Sequence, residues 1–224
     1  MRGLFITMEG MDGCGKSTQL DMLARALESR SLRALFTREP GGTPIGEQVR
    51  RLLITDVSLG IAATTELFLI VGARAEHVAT LIKPALEAGK VVISDRYTDS
   101  TVAFQGYGRG LDLRMIDRVN ELATGGLRPA LTLLFDLEPE IARTRLSGRP
   151  VGGWLGAVDE EGKDFYTRVR DGYLHLARSE PDRFRLIDAS GSPEAMHAQV
   201  LKVVLPMIEA VVSGQWPVAG CEHN

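Results

Sequence analysis

The chain has 224 residues, enough for one α/β domain with a full core or at most two small domains. Hydrophobic residues make up 44% and charged residues 25%, as in ordinary globular proteins, which excludes disordered and fibrous classes. There are 26 basic and 29 acidic residues, so the net charge is −3 and no basic block is present. Because polymer-binding proteins carry a basic face, a nucleic acid polymer is not an expected partner.

The chain has few features of an exported or membrane protein. The apolar stretch at residues 4–8 is too short for a signal sequence, and no uninterrupted apolar run approaches the ~18 residues of a membrane span. The two cysteines, Cys14 and Cys221, do not suggest a disulfide framework. We therefore expect a cytoplasmic protein without a membrane partner.

Strand-like and helix-like segments alternate along the chain. Apolar runs predict five strands, at residues 4–8, 34–37, 91–95, 130–136 and 184–188, of which the first and third are expected to be buried. Helical periodicity predicts helices at residues 16–30, 44–53, 64–87 with a kink before Pro84, from 112 onward, 139–146, 164–177 and 193–212. This alternation predicts an α/β fold with one five-stranded parallel sheet and helices on both faces. We expect a single domain over residues 1–213 and a weakly ordered tail at 214–224.

A phosphate-binding loop (P-loop) lies between the first strand and the first helix. Its residues fit the pattern G-x-x-x-x-G-K-[ST], and the strand and helix around it are the context that the pattern requires. Glycines let backbone N–H groups surround a triphosphate, and the helix N-terminus attracts its charge. Lys16 is expected to reach the β- and γ-phosphates, and Ser17 to bind Mg²⁺. The predicted ATP-binding residues are Gly10, Met11, Asp12, Gly13, Cys14, Gly15, Lys16, Ser17 and Thr18.

A second group of charged residues follows the strand at residues 91–95. Asp95 ends this strand and Arg96 comes directly after it. An acid beside an arginine suits a site that holds both a metal ion and a second phosphate group. Such a pair is more often a surface ion pair, but its position after a buried strand and downstream of a P-loop favours a functional site.

Several short motifs, in one fixed order, resemble the thymidylate kinase family. They lie at residues 5–10, 38–43, 82–86, 95–97 and 103–106, with further likeness at 139–140, 168–173 and 187–189. The likeness extends from about residue 3 to residue 205. It implies a P-loop kinase fold with a mobile lid at about residues 143–163, and transfer of the γ-phosphoryl group of MgATP to dTMP in dTTP synthesis. It also implies a homodimer.

The resemblance assigns roles to individual residues. Arg96 would bind the dTMP phosphate, and Asp95 would act on Mg²⁺ through water. Arg74 would hydrogen-bond thymine, with Thr101 and Gln105 at the base edge. The implied dTMP-binding set is Asp12, Glu39, Ile70, Arg74, Arg96, Ser100, Thr101, Phe104 (under the deoxyribose) and Gln105. The implied catalytic set is Lys16, Arg96, Asp12, Asp95, Arg149 and Arg145.

The chain departs from the family pattern at the position that usually stacks on the thymine base. Ile70 occupies the position of the aromatic residue that usually stacks on thymine, so aliphatic packing is expected to replace stacking. Phe68 is nearby, but two residues along a helix lie on different faces. We interpret Phe68 as a core residue.

The chain also departs from the family pattern in the predicted lid. No basic residue lies between Gly10 and Gly15, so the cation that stabilises the transition state should come from the lid. The first candidate is Arg149, followed by Arg145 and then Arg143. Three acids, Asp159, Glu160 and Glu161, either replace the acid of the lid that contacts the acceptor or are solvated loop charges.

Two alternatives stay open. The first is another nucleoside monophosphate kinase, with a different or broader choice of pyrimidine, because Ile70 and the lid are atypical. The second is an ATP-binding protein with weakened catalysis. A GTPase switch is disfavoured because the sequence has no Asn-Lys-x-Asp motif.

Overall fold

Five parallel strands form one sheet in the computed structural model, which describes residues 3–55, 60–147 and 162–216. The strands are β1 (Leu4–Glu9), β2 (Ala34–Arg38), β3 (Val91–Asp95), β4 (Leu131–Asp136) and β5 (Phe184–Asp188). Their order in the sheet is β2-β3-β1-β4-β5. The predicted five-stranded parallel sheet is confirmed.

Helices connect the strands. They are α1 (Lys16–Glu28), α2 (Pro44–Thr55), α3 (Ala63–His77), α4 (Lys83–Glu87), α5 (Thr98–Thr101), α6 (Leu113–Thr124), α7 (Pro139–Leu146), α8 (Gly162–Ser179) and α9 (Pro193–Val212). Two π-helical segments are inserted, π1 (Val78–Ile82) between α3 and α4, and π2 (Val102–Gly108) after α5. Because Pro84 has no N–H for the preceding turn, the helix widens into π1 at the predicted kink.

Both faces of the sheet are covered, as buried parallel sheets require. In β1, Leu4, Ile6 and Met8 belong to a large core cluster that includes residues of α1, α8 and α9. Phe5 points to the other face and belongs to a second cluster, with Ile82 and other residues of the chain between α3 and β3. The alternation along one strand therefore fixes which helices cover which face.

The α9 helix has a mean hydropathy of 1.5 and is, by length and composition alone, able to span a membrane. Four of its residues, Met196, Val200, Val204 and Ile208, recur every four positions and are buried in the large core cluster. One apolar stripe of α9 is therefore explained by packing within this fold.

The segment from α5 through π2 was not predicted as helical, because its residues are polar and rich in glycine. Two of those glycines let other elements approach closely. A Cβ at Gly106 would lie 2.4 Å from Leu113 Cδ2, and one at Gly108 would lie 2.6 Å from Phe165 Cε2. The glycines therefore serve helix packing here.

Most of the predicted lid and tail, residues 148–161 and 217–224, lies outside the described residues. Trp216, at the start of the predicted tail, packs against the large core cluster.

Candidate active site

The polar segments predicted to bind ligands meet at the carboxyl end of the sheet. Met8 of β1 and Arg38 of β2 both pair in register with Asp95 of β3, so these three strands end side by side. The P-loop, Glu39 and Arg96 follow directly from these ends. Parallel strands thus bring three distant sequence motifs to one edge of the sheet.

Glycines give the P-loop its shape. Gly10, Gly13 and Gly15 have positive φ angles of 137°, 79° and 97°, which residues with side chains rarely adopt. A Cβ at Gly10 would also lie 2.6 Å from the carbonyl oxygen of Phe135. Gly15 is the N-cap of α1, so the positive end of this helix faces the loop. The loop is therefore built to bind an anion.

Lys16 folds back over the P-loop. Its Nζ donates hydrogen bonds to the carbonyl oxygens of Gly10 at 2.9 Å and Met11 at 3.0 Å. The side chain is only 6% exposed. The ammonium group is thus held at the mouth of the loop, where a triphosphate would bind.

A cavity of about 450 Å³ opens next to the loop. Ten predicted site residues line it: Asp12, Gly13, Gly15, Lys16, Ser17, Thr18, Glu39, Asp95, Arg96 and Arg145. Residues predicted to bind ATP therefore share one cavity with three residues predicted to bind the acceptor, Asp12, Glu39 and Arg96. The lining of this cavity does not include the other predicted acceptor residues: Ile70, Arg74, Ser100, Thr101, Phe104 and Gln105.

Arg96 connects the P-loop with the acceptor side. Its Nη2 donates to Asp12 Oδ1 at 2.8 Å, and its Nη1 donates to the carbonyl oxygen of Gly10 at 3.0 Å. Nη1 also lies 3.1 Å from Ser100 Oγ and 3.2 Å from the Tyr173 hydroxyl. The backbone of Arg96 has a φ of 72°, a strained conformation that occurs at functional sites.

Asp12 is kept ionised by its neighbours. Burial alone would raise the pKa of Asp12, but the positive charges of Arg96 and Lys16 outweigh burial and lower it. Its second oxygen, Oδ2, is buried and has no hydrogen-bond partner among residues 3–55, 60–147 and 162–216. A buried carboxylate oxygen with spare capacity, next to a cavity, suits contact with a bound ligand or a metal-bound water.

The site fits a magnesium ion that is held mainly by phosphate and water. Asp95 Oδ1 is buried without a hydrogen-bond partner in the described part of the chain, and Ser17 lines the same cavity. No group of three or more His, Cys, Asp or Glu side chains that could hold a metal occurs among the described residues. This sparse donor set matches Mg²⁺, which keeps several waters and binds substrate phosphates.

Glu9 is a buried carboxyl group that sequence reasoning did not assign to the site. It accepts hydrogen bonds from the Tyr97 N–H at 2.7 Å, Ser100 Oγ at 2.5 Å and the Tyr173 hydroxyl at 2.9 Å. Burial, helped by the charge of Asp99, raises the pKa of Glu9 to about 7. The sequence feature that could have indicated Glu9 is an acidic residue at the end of an apolar strand, which is fully buried in the structure.

Most of the N–H donors of Arg74 form hydrogen bonds with protein acceptors. Its Nε donates to Glu39 Oε2 at 2.7 Å, and its Nη1 donates to Thr101 Oγ1 at 2.9 Å and Asn120 Oδ1 at 2.6 Å. Nη2 donates to the carbonyl oxygen of Tyr97 at 3.0 Å. A guanidinium has five N–H donors, so one N–H on Nη2 has no protein partner within residues 3–55, 60–147 and 162–216.

The predicted base and sugar contacts lie near two arginines, Ile70 near Arg74 and Phe104 near Arg96. Ile70 is buried one turn before Arg74, and the ring of Phe104 lies 4.8 Å from the Arg96 guanidinium. The interpretation of Phe68 as a core residue is wrong, because its side chain is 57% exposed. Phe68 precedes Ile70 by two residues, which is about 200° around an α-helix, so the two side chains lie on opposite faces of α3.

The lid arginines are only partly described. Arg145 of α7 lines the cavity and donates to the carbonyl oxygens of Ala189 at 2.8 Å and Ser190 at 3.2 Å. Arg143 is exposed, and the cavity lining does not include it. Arg149, the first candidate for the transition-state cation, lies outside the described residues, as do Asp159, Glu160 and Glu161.

Sequence reasoning missed six residues that line the cavity: Arg38, Arg50, Leu146, Gly191, Pro193 and Met196. Burial, followed by the charge of Arg38, lowers the pKa of Arg50, and this arginine donates to the carbonyl oxygen of Pro40 at 3.1 Å. Basic residues in the helix after Glu39 were a usable signal for Arg50. Nothing local in the sequence indicates that residues 191–196 lie beside the P-loop.

The fold and the site together define the class. A parallel sheet with a glycine-rich loop between β1 and α1, and an Asp-Arg pair after β3, is that of a P-loop kinase. The family model for thymidylate kinase matches residues 8–200.

Two relatives named thymidylate kinase, from Symbiobacterium thermophilum and Pseudomonas syringae pv. tomato, are 45% and 46% identical to this chain. The alignments cover 90% and 93% of this chain, and 92% and 98% of the relatives. The crystal structure of thymidylate kinase from Ehrlichia chaffeensis superimposes with a TM-score of 0.73 at 36% identity, covering 92% of this chain and 99% of that chain. The chain belongs to the thymidylate kinase family, which confirms the predicted family and fold.

Proposed function

We propose that this chain phosphorylates dTMP to dTDP with MgATP, by in-line transfer of the γ-phosphoryl group to the 5′-phosphate. The observation that carries the proposal is the shared cavity, in which Lys16 and Ser17 of the P-loop face Asp12 and Arg96 of the acceptor side. Two polyanions that bind to these groups would meet end to end. Family membership supports the same reaction.

The reaction needs alignment and charge neutralisation more than proton transfer, because a phosphate monoester is already an anionic nucleophile. Lys16 and the P-loop amides bind the β- and γ-phosphates of ATP. Ser17 and, through water, Asp95 would hold Mg²⁺, which would supply positive charge to the phosphates.

Arg96 is suited to bind the acceptor phosphate. Among the described residues, its Nε–H and the second Nη2–H have no hydrogen-bond partner, while its other donors are held by Asp12, Gly10, Ser100 and Tyr173. Nε and Nη2 form the edge of a guanidinium that binds two phosphate oxygens in parallel. Arg96 is therefore oriented by the protein with its phosphate-binding edge available.

The base would bind between α3 and the helix formed by α5 and π2. The remaining Nη2–H of Arg74 suits the O4 carbonyl of thymine, and Gln105 and Thr101 supply polar groups at the base edge. Ile70 gives an apolar contact in place of a stacked ring. Phe104, beneath Arg96, suits the deoxyribose.

A homodimer and a cytoplasmic location are part of the proposal. Large apolar side chains are exposed on three helices: Ile45 and Leu52 on α2, Phe68 on α3, and Leu113 and Leu122 on α6. Because α3 packs against both α2 and α6, these helices form one region of the surface. An exposed apolar region of this kind is typical of a protein–protein interface.

A coupled assay of ADP release tests the function. Wild-type protein is assayed with MgATP and each of dTMP, dUMP, UMP, CMP and AMP, and dTMP is expected to give the highest kcat/KM. Absence of ADP release with dTMP would refute the proposal, and comparable rates with several pyrimidines would favour the broader kinase. ATP binding in calorimetry without turnover of any acceptor would favour the weakened ATP-binding protein.

A further inference from the structure

Two rows of side chains face each other between α3 and the helix formed by α5 and π2. The first row is Glu66, Ile70 and Arg74, and the second is Thr101, Gln105 and Arg109; both recur every four residues. Hydrogen bonds join the rows at both ends, from Arg74 to Thr101 at 2.9 Å and from Gln105 to Glu66 at 2.6 Å. Ile70 lies between the two ends of its row.

Glu66 determines how the amide of Gln105 is oriented. Gln105 Nε2 donates to Glu66 Oε1, and both residues are buried. Arg109 holds the same carboxylate, with its Nη2 at 2.8 Å from Glu66 Oε2. Because a carboxylate accepts hydrogen bonds and does not donate them, the amide nitrogen must face Glu66 and the carbonyl oxygen must point elsewhere. Without such a partner, a glutamine can present either atom to a ligand.

The two fixed side chains form a donor–acceptor pair. Arg74 can only donate, and one of its Nη2 hydrogens remains free of the described protein partners. Gln105 uses one Nε2–H to bind Glu66, which fixes its carbonyl Oε1 on the side away from Glu66 and leaves one further Nε2–H. Thymine presents the complementary pair, an O4 acceptor next to an N3–H donor, whereas cytosine presents an amino donor next to an N3 acceptor.

We infer that Glu66 is a specificity-determining positioning residue, which fixes Gln105 so that its Oε1 faces the N3–H of thymine and the site rejects cytosine. Glu66 does not contact the base itself; it removes the freedom of Gln105 to rotate its amide and bind cytosine. The inference rests on the proposed function and deepens it, because it names the group that selects the base.

The test compares dTMP with 5-methyl-dCMP, which differs only at N3 and at the 4-position. We expect Glu66→Gln to reduce the ratio of kcat/KM for dTMP over 5-methyl-dCMP by about tenfold or more, as one reversed base contact would. The change should come mainly from a lower KM for 5-methyl-dCMP, with kcat for dTMP within about threefold of wild type. An unchanged ratio would overturn the inference.

A charge-conserving swap separates specificity from structure. In Glu66→Gln/Gln105→Glu the amide lies at residue 66 and the carboxylate at residue 105, so the pair can still form its hydrogen bond and residue 105 presents an acceptor to the base. The double variant should regain the preference for dTMP, whereas a merely structural role of Glu66 would reduce turnover of both substrates together and leave the ratio unrestored.

A second variant and the activity of the wild-type protein distinguish failure of this inference from failure of the proposed function. If Glu66→Gln does not fold, Glu66→Asp keeps the charge beside Arg109 but withdraws the carboxylate from Gln105, and the same fall in the ratio is expected. Wild-type protein that does not turn over dTMP would refute the proposed function itself. Wild-type turnover of dTMP with an unchanged ratio in the variants would refute only the inference.

Discussion

Glu9 shows at the scale of one residue how the site combines burial with charge. The carboxyl group is fully buried at the end of β1 and accepts hydrogen bonds from Ser100 and Tyr173, which also contact Arg96. Its protonation is therefore linked to the residues that orient the acceptor arginine. Because the pKa of Glu9 is raised to about 7, its protonation state changes near neutral pH.

The first prediction concerns stability and pH. An unfolded Glu9 loses its proton near its ordinary pKa of 4.5, whereas the folded protein retains it up to about 7. The folded state therefore binds more protons in this range, so the free energy of unfolding falls as pH rises from 4.5 to 7, by about 3 kcal/mol from this group.

Denaturant unfolding of wild type and Glu9→Gln at about pH 5 and about pH 8 measures this contribution. The isosteric variant keeps the hydrogen-bonded shape and has no titrating group at position 9. We expect the stability of wild type relative to the variant to decrease on going to the higher pH. Parallel pH profiles would show that Glu9 titrates normally.

At the scale of an element, α7 leads from β4 to the lid and carries two arginines with different surroundings. Arg145 lines the cavity and is held by the carbonyl groups of Ala189 and Ser190, whereas Arg143 is exposed. The P-loop has no basic residue between Gly10 and Gly15, so we expect a cation from this part of the chain to stabilise the transferring phosphoryl group.

The second prediction ranks the lid arginines by turnover. Arg149→Ala is expected to lower kcat by about 10³-fold or more, because it would remove the proposed transition-state cation. Arg145→Ala is expected to lower kcat by about tenfold, because it removes a positive charge that lines the cavity. Arg143→Ala is the control and should leave kcat within about twofold. A loss below about tenfold for Arg149→Ala would contradict its role and leave Arg145 as the candidate.

The helix formed by α5 and π2 is the element that was hardest to predict from the sequence. Its composition is typical of a loop, but it carries Ser100, Thr101, Phe104 and Gln105, all of which are buried. Packing against α6 and α8 makes it helical, since Gly106 and Gly108 leave room for Leu113 and Phe165. Local propensity could not predict this, because the deciding contacts come from residues far along the chain.

For the molecule as a whole, the exposed apolar side chains of α2, α3 and α6 are the reason that we expect a homodimer. Phe68 is 57% exposed although it lies between two buried positions, Glu66 and Ile70. Burying such a ring against a second copy removes it from water, which stabilises association. Under the proposed function, the same helix would present one face to the base and the other to a second copy of the chain.

The third prediction concerns this surface. Phe68→Glu is expected to convert a dimer into a monomer, because a charge at the centre of an apolar interface is not solvated there. Light scattering measures the mass directly. Leu186→Glu, which changes an exposed apolar residue of β5, is the matched control and should leave the mass unchanged. A wild-type protein with the mass of one chain would refute the homodimer.

Local patterns in the sequence are sufficient to predict several parts of this protein. Apolar runs predict all five strands: β1, β3 and β4 are mostly apolar because they are buried in the middle of the sheet, whereas the edge strands β2 and β5 are partly exposed and carry Arg38 and Arg185. The P-loop and the Asp95-Arg96 pair were found from spacing alone, since glycine conformation and phosphate chemistry permit few alternatives there. These motifs also carried the family, which the comparisons confirm.

Contacts between side chains could be read only from the tertiary structure. It gives Arg74 four protein partners and leaves one of its N–H groups without a partner among the described residues, holds the amide of Gln105 against Glu66, and brings residues 191–196 beside the P-loop. It also placed Phe68 at the surface, contrary to expectation. The physical reason is that hydrogen-bond partners and exposure depend on contacts between distant segments, which periodicity along one segment does not contain.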